Sequence, residues 1–121
     1  MNKTERIKIN KIDHIVISAY LITTQSAIFQ LDKTSTTIGR GENNDIDLED
    51  PFISRVHGQI RLVQDQYIYI DLGSSGGSRV NGKQVIQQTL HNGDVLLLGK
   101  TALIFGQDDI DEEGTSPVTI T

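Results

Sequence analysis

Three polar clusters in the chain contain the residue types that bind anions. They are Gly39-Arg40-Gly41, Ser54-Arg55-Val56-His57, and the serine- and glycine-rich run 71–82 with its basic residue Arg79. A guanidinium can hold phosphate oxygens through two parallel hydrogen bonds, and hydroxyls and backbone amides supply further donors. Glycines beside an arginine let the backbone approach a ligand closely, because they carry no Cβ. If the fold brings these clusters together, they predict a phosphate-type anion site.

The segments between the clusters are typical of β-strands. Apolar residues alternate with polar ones or form short runs bounded by Gly, Asn, Asp and Ser, and helical periodicity is almost absent. Turn signatures such as Asn81-Gly82 and Asn92-Gly93 separate the runs. The pattern predicts an all-β domain, a sandwich or a barrel, with the clusters on its loops. The candidate strands are 19–24, 27–31, 35–39, 46–48, 57–63, 66–72, 78–80, 83–86, 88–90, 94–98 and 101–106.

Length and composition exclude several kinds of protein. The 121 residues are enough for one domain with its own core. The chain has no cysteine, so disulfides, thiolate metal sites and a cysteine nucleophile are excluded. No apolar run approaches the ~18 residues of a membrane span. Asp13 and His14 interrupt the apolar stretch of a possible signal peptide, so we expect a cytoplasmic protein.

Charge divides the chain into three parts. The formal net charge is −5, which argues against non-specific binding to nucleic acid. Residues 1–18 are basic overall, and acidic residues dominate 107–121. We therefore expect an N-terminal leader or extra strand at 1–18, a folded domain at 19–106 and an acidic flexible tail at 107–121.

Five short motifs, taken in order, resemble the forkhead-associated (FHA) family. They are Ile38-Gly39-Arg40, Asn44-Asp45-Ile46, Ser54-Arg55-Val56-His57, Asp71-Leu72-Gly73-Ser74-Ser75 and Val80-Asn81-Gly82. Each motif alone is common, but the ordered set is specific, and it covers about 19–106. The resemblance implies an FHA-type β-sandwich of about eleven strands that binds phosphothreonine peptides with the loops at one end.

The resemblance also implies which residues contact the phosphate. Arg40 matches the family arginine that contacts the phosphate directly. Ser54 and Ser75 match hydroxyl donors on the two later loops, and Arg55 matches a basic position that assists. A small apolar pocket for the threonine methyl group would favour phosphothreonine over phosphoserine.

Other matched positions concern the peptide main chain and the scaffold. Gly76 stands where many members carry an asparagine that hydrogen-bonds the peptide backbone, which leaves open how the peptide is anchored. Asn81 completes the predicted peptide-binding set. Gly39, His57 and Gly82 match structural positions, and His57 is expected to brace the loops from beneath.

These expectations describe a signalling adaptor module rather than an enzyme. Its partner would be a phosphothreonine-containing protein, which implies an upstream Ser/Thr kinase, and we expect no cofactor, metal, nucleic acid or membrane partner. One alternative is a scaffold for an unphosphorylated partner. Another is an FHA regulator inhibited by its own tail, phosphorylated at Thr115, Thr119 or Thr121. A Ser54-His57-Asp71 triad would require the serine oxygen within hydrogen-bond reach of His57.

Overall fold

The computed structural model describes residues 15–111, which form eleven β-strands and no helix. The strands are β1 (Ile15–Thr23), β2 (Ile28–Gln30), β3 (Ser35–Gly39), β4 (Ile46–Asp47), β5 (Gly58–Val63), β6 (Gln66–Asp71), β7 (Ser78–Val80), β8 (Lys83–Val85), β9 (Gln87–Thr89), β10 (Val95–Leu98) and β11 (Thr101–Asp111). Accordingly, no helix in this part of the chain is long enough to cross a membrane.

The strands form two sheets that face each other. One sheet has the order β2-β1-β11-β10-β7-β8, and the other has the order β4-β3-β5-β6-β9. Only the short β3–β4 pair is parallel among the strand pairs described, and the others are antiparallel. The expected all-β sandwich of about eleven strands is confirmed, and most strands lie within one or two residues of their predicted positions.

Side chains from both sheets fill the space between them. Leu21, Leu96 and Phe105 from one sheet are fully buried, as are Ile60 and Tyr69 from the other. These positions alternate with more exposed neighbours, as the period of two in a half-buried strand requires. Burial of this apolar surface supplies most of the driving force for folding.

On β6 the buried face is the aromatic one. Tyr67 and Tyr69 point into the core, while Ile68 and Ile70 are only partly buried and Leu72, just after the strand, is 41% exposed. Both phenol groups have hydrogen-bond partners inside the protein, because Tyr67 donates to the Leu31 carbonyl and Tyr69 lies 2.6 Å from the Ser78 hydroxyl. A buried tyrosine needs such a partner.

The first and last strands extend beyond the expected domain bounds of 19 and 106. Antiparallel pairing runs from Thr23–Leu103 to Ile15–Asp111 without interruption. Backbone hydrogen bonds carry this ladder, so β11 continues where its sequence becomes polar and acidic after Gly106. Residues 1–14 and 112–121, which include most of the expected leader and tail, lie outside the described residues.

The loops divide between two ends of the sandwich. We call the end with loops 40–45, 48–57, 72–77 and the turn 99–100 the upper end. The lower end has the turns 64–65 and 81–82 and the loop 90–94. The strand registers place these segments, because Ile38 pairs with Gly58, Gly58 with Asp71, and Ser78 with Leu98. All three polar clusters except Asn81-Gly82 therefore belong to the upper end.

Candidate functional site

Arg40 follows directly after β3 and is fixed by the neighbouring loop. Its backbone N–H donates to the Ser54 carbonyl at 3.0 Å, and its Nε donates to the Ile53 carbonyl at 3.0 Å. The side chain is exposed. Within the described part of the chain, no carboxylate forms an ion pair with Arg40 or Arg55. The two terminal guanidinium nitrogens of Arg40 thus remain available to a ligand.

Gly39 is required by a close approach of two loops. A Cβ at this position would lie 2.1 Å from the Arg55 carbonyl oxygen and 2.7 Å from Oδ1 of Asn44. The Asn44 amide donates to the Gly41 and Arg55 carbonyls at 3.1 and 2.8 Å. Asn44 thereby ties the 40–45 loop to the 48–57 loop. The sequence motif contained Asn44, but its bridging role is visible only in the structure.

Ser54 joins its loop to the loop that carries Ser75. Its Oγ accepts the backbone N–H of Ser75 at 3.0 Å, which leaves its own hydroxyl proton to donate elsewhere. Ser54 is half-buried and Ser75 is exposed. The two predicted hydroxyl donors therefore belong to loops that are in contact, and Arg40 is held against the Ser54 loop by its backbone N–H and its Nε.

His57 braces this arrangement from beneath. It is fully buried, its Nδ1 accepts the backbone N–H of Ser54 at 3.0 Å, and its Nε2 lies 2.9 Å from the Gly77 carbonyl. A carbonyl can only accept, so Nε2 carries the proton and the imidazole is neutral. Its two ring nitrogens thus connect the backbones of two loops, consistent with the expected bracing role.

This geometry does not provide a catalytic base for Ser54. Both nitrogens of His57 are occupied by main-chain groups, and the Ser54 group that meets the ring is its amide rather than its hydroxyl. Asp71 Oδ2 lies 3.9 Å from Nε2, beyond hydrogen-bond distance. The three residues are therefore not arranged as a nucleophile, base and orienting acid.

Asp71 organises the 72–77 loop. Its Oδ1 accepts the backbone N–H groups of Gly73 and Ser74 at 2.9 and 2.8 Å, and its Oδ2 accepts the Ser74 and Ser78 hydroxyls at 2.6 and 2.5 Å. Burial opposes its ionisation, but these hydrogen bonds outweigh burial and hold the pKa of the carboxyl below its usual range. An ionised carboxylate pointing inward thus shapes the loop.

The same network reaches the core through Ser78. Because Ser78 donates to Asp71, the Tyr69 hydroxyl donates to Ser78, and burial raises the pKa of Tyr69 above that of an ordinary phenol. Tyr69 fits here only because residue 58 is glycine, since a Cβ on Gly58 would lie 2.1 Å from the phenol oxygen. The loop therefore rests on a fully satisfied buried chain of hydroxyls.

Asp50 has an equivalent role in the 48–57 loop, and sequence reasoning missed it. Its carboxylate accepts the backbone N–H of Phe52 at 2.8 Å and that of Lys100 at 2.7 Å, together with the Thr101 hydroxyl at 2.8 Å. Burial works against its charged form, but these bonds lower the pKa of Asp50. Asp50 and Lys100 are 50 positions apart in the chain, so no local pattern signals this contact.

Asn81 is the one predicted peptide-binding residue that lies elsewhere. It follows β7 at the lower end, whereas Ser75 and Gly76 precede β7 at the upper end. Its amide donates to Asp94 at 2.9 Å, and its Oδ1 accepts the Val95 N–H at 2.9 Å. Its assignment to the peptide-binding set was therefore wrong. Asn81 stabilises a turn, and its left-handed φ of 52° suits the residue type.

The remaining predicted residues surround the Ser54–Ser75 contact. Arg55 is exposed on the same loop as Ser54, and Gly76 is exposed beside Ser75. Lys100 lies on the neighbouring turn with its Nζ 4.6 Å from the centre of the Phe52 ring. Among the side chains that the structure describes, residues 18–108, no three His, Asp or Glu are placed to hold a metal ion. The upper end thus presents exposed cations and hydroxyls. The carboxylates of Asp50 and Asp71 support its loops from inside, and the exposed Asp47 carboxylate is engaged by the Gly41 backbone N–H at 2.8 Å.

Fold and loop chemistry together define a small β-sandwich that displays anion-binding residue types on the loops at one end. The sequence matches the FHA domain family over residues 36–99, more than half of the chain. The chain belongs to the FHA family, as its motifs indicated.

Similar proteins support this membership. The glycogen accumulation regulator GarA of Mycobacterium tuberculosis is 38% identical over 87 residues, which cover 67% of this chain and 54% of GarA. An oxoglutarate dehydrogenase inhibitor of Corynebacterium jeikeium is 40% identical over 77 residues, which cover 64% of this chain and 54% of the inhibitor. The chain thus spans about half the length of these curated relatives.

Solved structures agree with the fold. One FHA domain, from a structural and functional analysis of phosphothreonine-dependent FHA domain interactions, superposes with a TM-score of 0.71 at 33% sequence identity. The match covers 74% of this chain and 95% of that one. Nearly all of that domain therefore has its counterpart in this chain.

Proposed function

We propose that the upper end binds phosphothreonine in a protein partner. The observation that carries this proposal is the exposed guanidinium of Arg40 on the loop that carries the Ser54–Ser75 contact, with no carboxylate of the described residues paired with it. The phosphate dianion accepts hydrogen bonds from Arg40 and from the Ser54 and Ser75 hydroxyls. Each charge-assisted hydrogen bond contributes ~1.5–3 kcal/mol net.

The scaffold supports a role in recognition rather than catalysis. His57, which lies beneath the proposed phosphate contacts, is held between two backbone groups and cannot act as a base without leaving them. The relatives GarA and the oxoglutarate dehydrogenase inhibitor are named as a regulator and an inhibitor. We infer that this chain is a non-catalytic module that reads the product of an upstream Ser/Thr kinase, and that no cofactor takes part.

A second candidate is a partner bound without phosphate. Three aliphatic side chains at the upper end are exposed, Val56 at 58%, Leu72 at 41% and Ile86 at 79%. They lie near one another, because Leu72 N donates to the His57 carbonyl and Asp71 N donates to the Ile86 carbonyl. Grouped exposed apolar residues are typical of protein-binding surfaces. On this alternative, the partner contacts this surface and Arg40 contributes little.

One titration separates the two candidates. The probe is a phosphothreonine peptide selected from an oriented phosphopeptide library, and its unphosphorylated form is the comparison. Arg40→Ala should weaken binding of the phosphopeptide at least ~10-fold, because one charge-assisted contact is worth at least ~1.4 kcal/mol. Arg61→Ala, an exposed arginine on β5, is the matched control and should bind as the parent does. Equal binding of both peptide forms would contradict the proposal and favour the apolar surface.

A further inference from the structure

Gln84 places a side-chain amide against the loop that carries Ser75. It lies on β8, an edge strand of the six-stranded sheet, directly opposite Arg79 on β7. A Cβ built on Gly77 would lie 3.0 Å from Nε2 of Gln84 and 3.6 Å from its Cδ. The carboxamide thus packs on the backbone of Gly77. Gln84 is exposed, and its amide has no hydrogen-bond partner among residues 15–111.

The loop beside this amide is open and has no amide side chain of its own. Its residues are Ser75, Gly76, Gly77 and Ser78. A Cβ on Gly76 would have only the Phe52 carbonyl within 4 Å, at 3.7 Å, so the space above Gly76 is unfilled. Consecutive Cα atoms are ~3.8 Å apart, so Ser75 and Gly77 lie at most ~7.6 Å apart. Gln84 therefore reaches to within about two residues of the proposed phosphate donors.

We propose that Gln84 anchors the main chain of the bound phosphopeptide, a role that rests on the proposed function of the upper end. A carboxamide offers one acceptor and two donor hydrogens, so it can pair with the N–H and C=O of a peptide backbone. The guanidinium of Arg79, its cross-strand neighbour, can only donate. Gly76 has no side chain, so Gln84 supplies from β8 the amide that the loop itself lacks.

The test uses a phosphothreonine peptide with alanine at every flanking position, so that only the phosphate, the threonine methyl and the main chain remain to be recognised. Gln84→Ala should weaken its affinity about 5-fold, the equivalent of one ordinary hydrogen bond. Gln84→Glu should weaken it at least as much, because a carboxylate loses the donor and repels the phosphate. Gln30→Ala is the matched control, an exposed glutamine on the edge strand at the other side of the same sheet.

A rescue experiment separates anchoring from a general effect on the loop. Gly76→Asn should restore most of the lost affinity in the Gln84→Ala background, because one amide then replaces the other. Gln84→Ala should weaken the binding of phosphothreonine peptides with other flanking residues by the same factor, since a main-chain contact carries no sequence information.

The outcomes also separate this proposal from the one on which it rests. If Arg40→Ala weakens binding while Gln84→Ala binds as tightly as the parent, the phosphate site stands and the anchor is wrong. If the rescue fails although Gln84→Ala weakens binding, the effect is on the loop and the anchor is again wrong. If Arg40→Ala leaves the affinity unchanged, or if the parent binds the phosphorylated and unphosphorylated peptides equally well, both proposals are wrong.

Discussion

The two ends of the sandwich use the same polar residue types with opposite results. At the lower end, both ends of the Asn81 amide are engaged, one by Asp94 and one by the Val95 N–H. The Asn92 amide likewise pairs with both backbone groups of Gln107. At the upper end, Asp50 and Asp71 face inward and support the loops. Arg40 and the hydroxyl protons of Ser54 and Ser75 therefore remain available at the surface.

This difference shows how a folded domain keeps donors free. Polar side chains that pair with each other at the surface satisfy themselves and close a turn. A carboxylate or imidazole placed beneath a loop satisfies the loop backbone instead, so the outer side chains are not needed for folding.

Replacing His57 should destabilise the protein more than replacing any other single polar residue of the upper end. His57→Ala leaves the Ser54 amide and the Gly77 carbonyl without their partner in a fully buried place. We expect a loss of ~2–4 kcal/mol in the free energy of unfolding, measured by urea denaturation. The matched control is His91→Ala at the lower end, where the side chain is 74% exposed and little change is expected. Equal losses of stability in the two variants would contradict the proposed difference between the upper and lower ends.

The inward carboxylate should make stability depend on pH. The pKa of Asp71 is lowered in the folded protein, so its charged form stabilises the fold above the unfolded value of ~3.9, and this contribution is lost as pH falls through the folded pKa. Asp71→Asn should lose ~2 kcal/mol at pH 7. The difference in the free energy of unfolding between the variant and the parent should shrink below about pH 4, which urea denaturation at pH values between 7 and 3 would measure. Asp32→Asn, an exposed control, should follow the parent throughout.

Sequence reasoning succeeded where the information is local. Alternation of side chains and turn signatures placed most strands, because both depend on near neighbours in the chain. It failed at the end of β11, where the backbone ladder continues through polar and acidic residues that were assigned to a flexible tail. Local information also could not find Asp50, whose partners Lys100 and Thr101 are 50 and 51 positions away.

Asn81 illustrates the same limit within the site assignment. An Asn-Gly signature identifies a hairpin turn, but it does not say at which end of the sandwich the turn lies. Only the strand order and register show that β7 carries Ser78 at one end and Asn81 at the other. Gln84 was missed for a related reason, since a glutamine on an edge strand carries no local signal that it contacts a loop.

A change at the lower end should affect stability and leave binding intact. Asn81→Ala removes the bond to Asp94 and the bond from Val95, so we expect a loss of ~1 kcal/mol in the free energy of unfolding. Affinity for a phosphothreonine peptide should equal that of the parent, because the turn lies at the far end of β7. A drop in affinity without a drop in stability would return Asn81 to the peptide-binding set.

The smallest expected effect concerns inhibition by the phosphorylated tail. β11 runs from Thr101 at the upper end to Asp111, and its 11 residues extend ~34 Å at ~3.4 Å per residue. Thr115 follows Asp111 by four residues, which span at most ~14 Å. A phosphate on Thr115 therefore cannot reach Arg40 of the same chain and can meet the site only on a second copy.

Inhibition through phospho-Thr115 should therefore depend on protein concentration, because it needs a second copy of the chain. In a chain phosphorylated only at Thr115, the NMR resonances of loops 40–45 and 72–77 should match the unphosphorylated chain in dilute solution. They should shift only as the protein concentration rises, together with the sedimentation coefficient. Phosphorylation at Thr121 is the comparison. Thr121 follows Asp111 by ten residues, which span at most ~36 Å, so its phosphate could only just return along β11 to the upper end of the same chain. Concentration-independent shifts from phospho-Thr115 would contradict the separation of the two ends, because the tail would then reach the site from its own end of the sandwich.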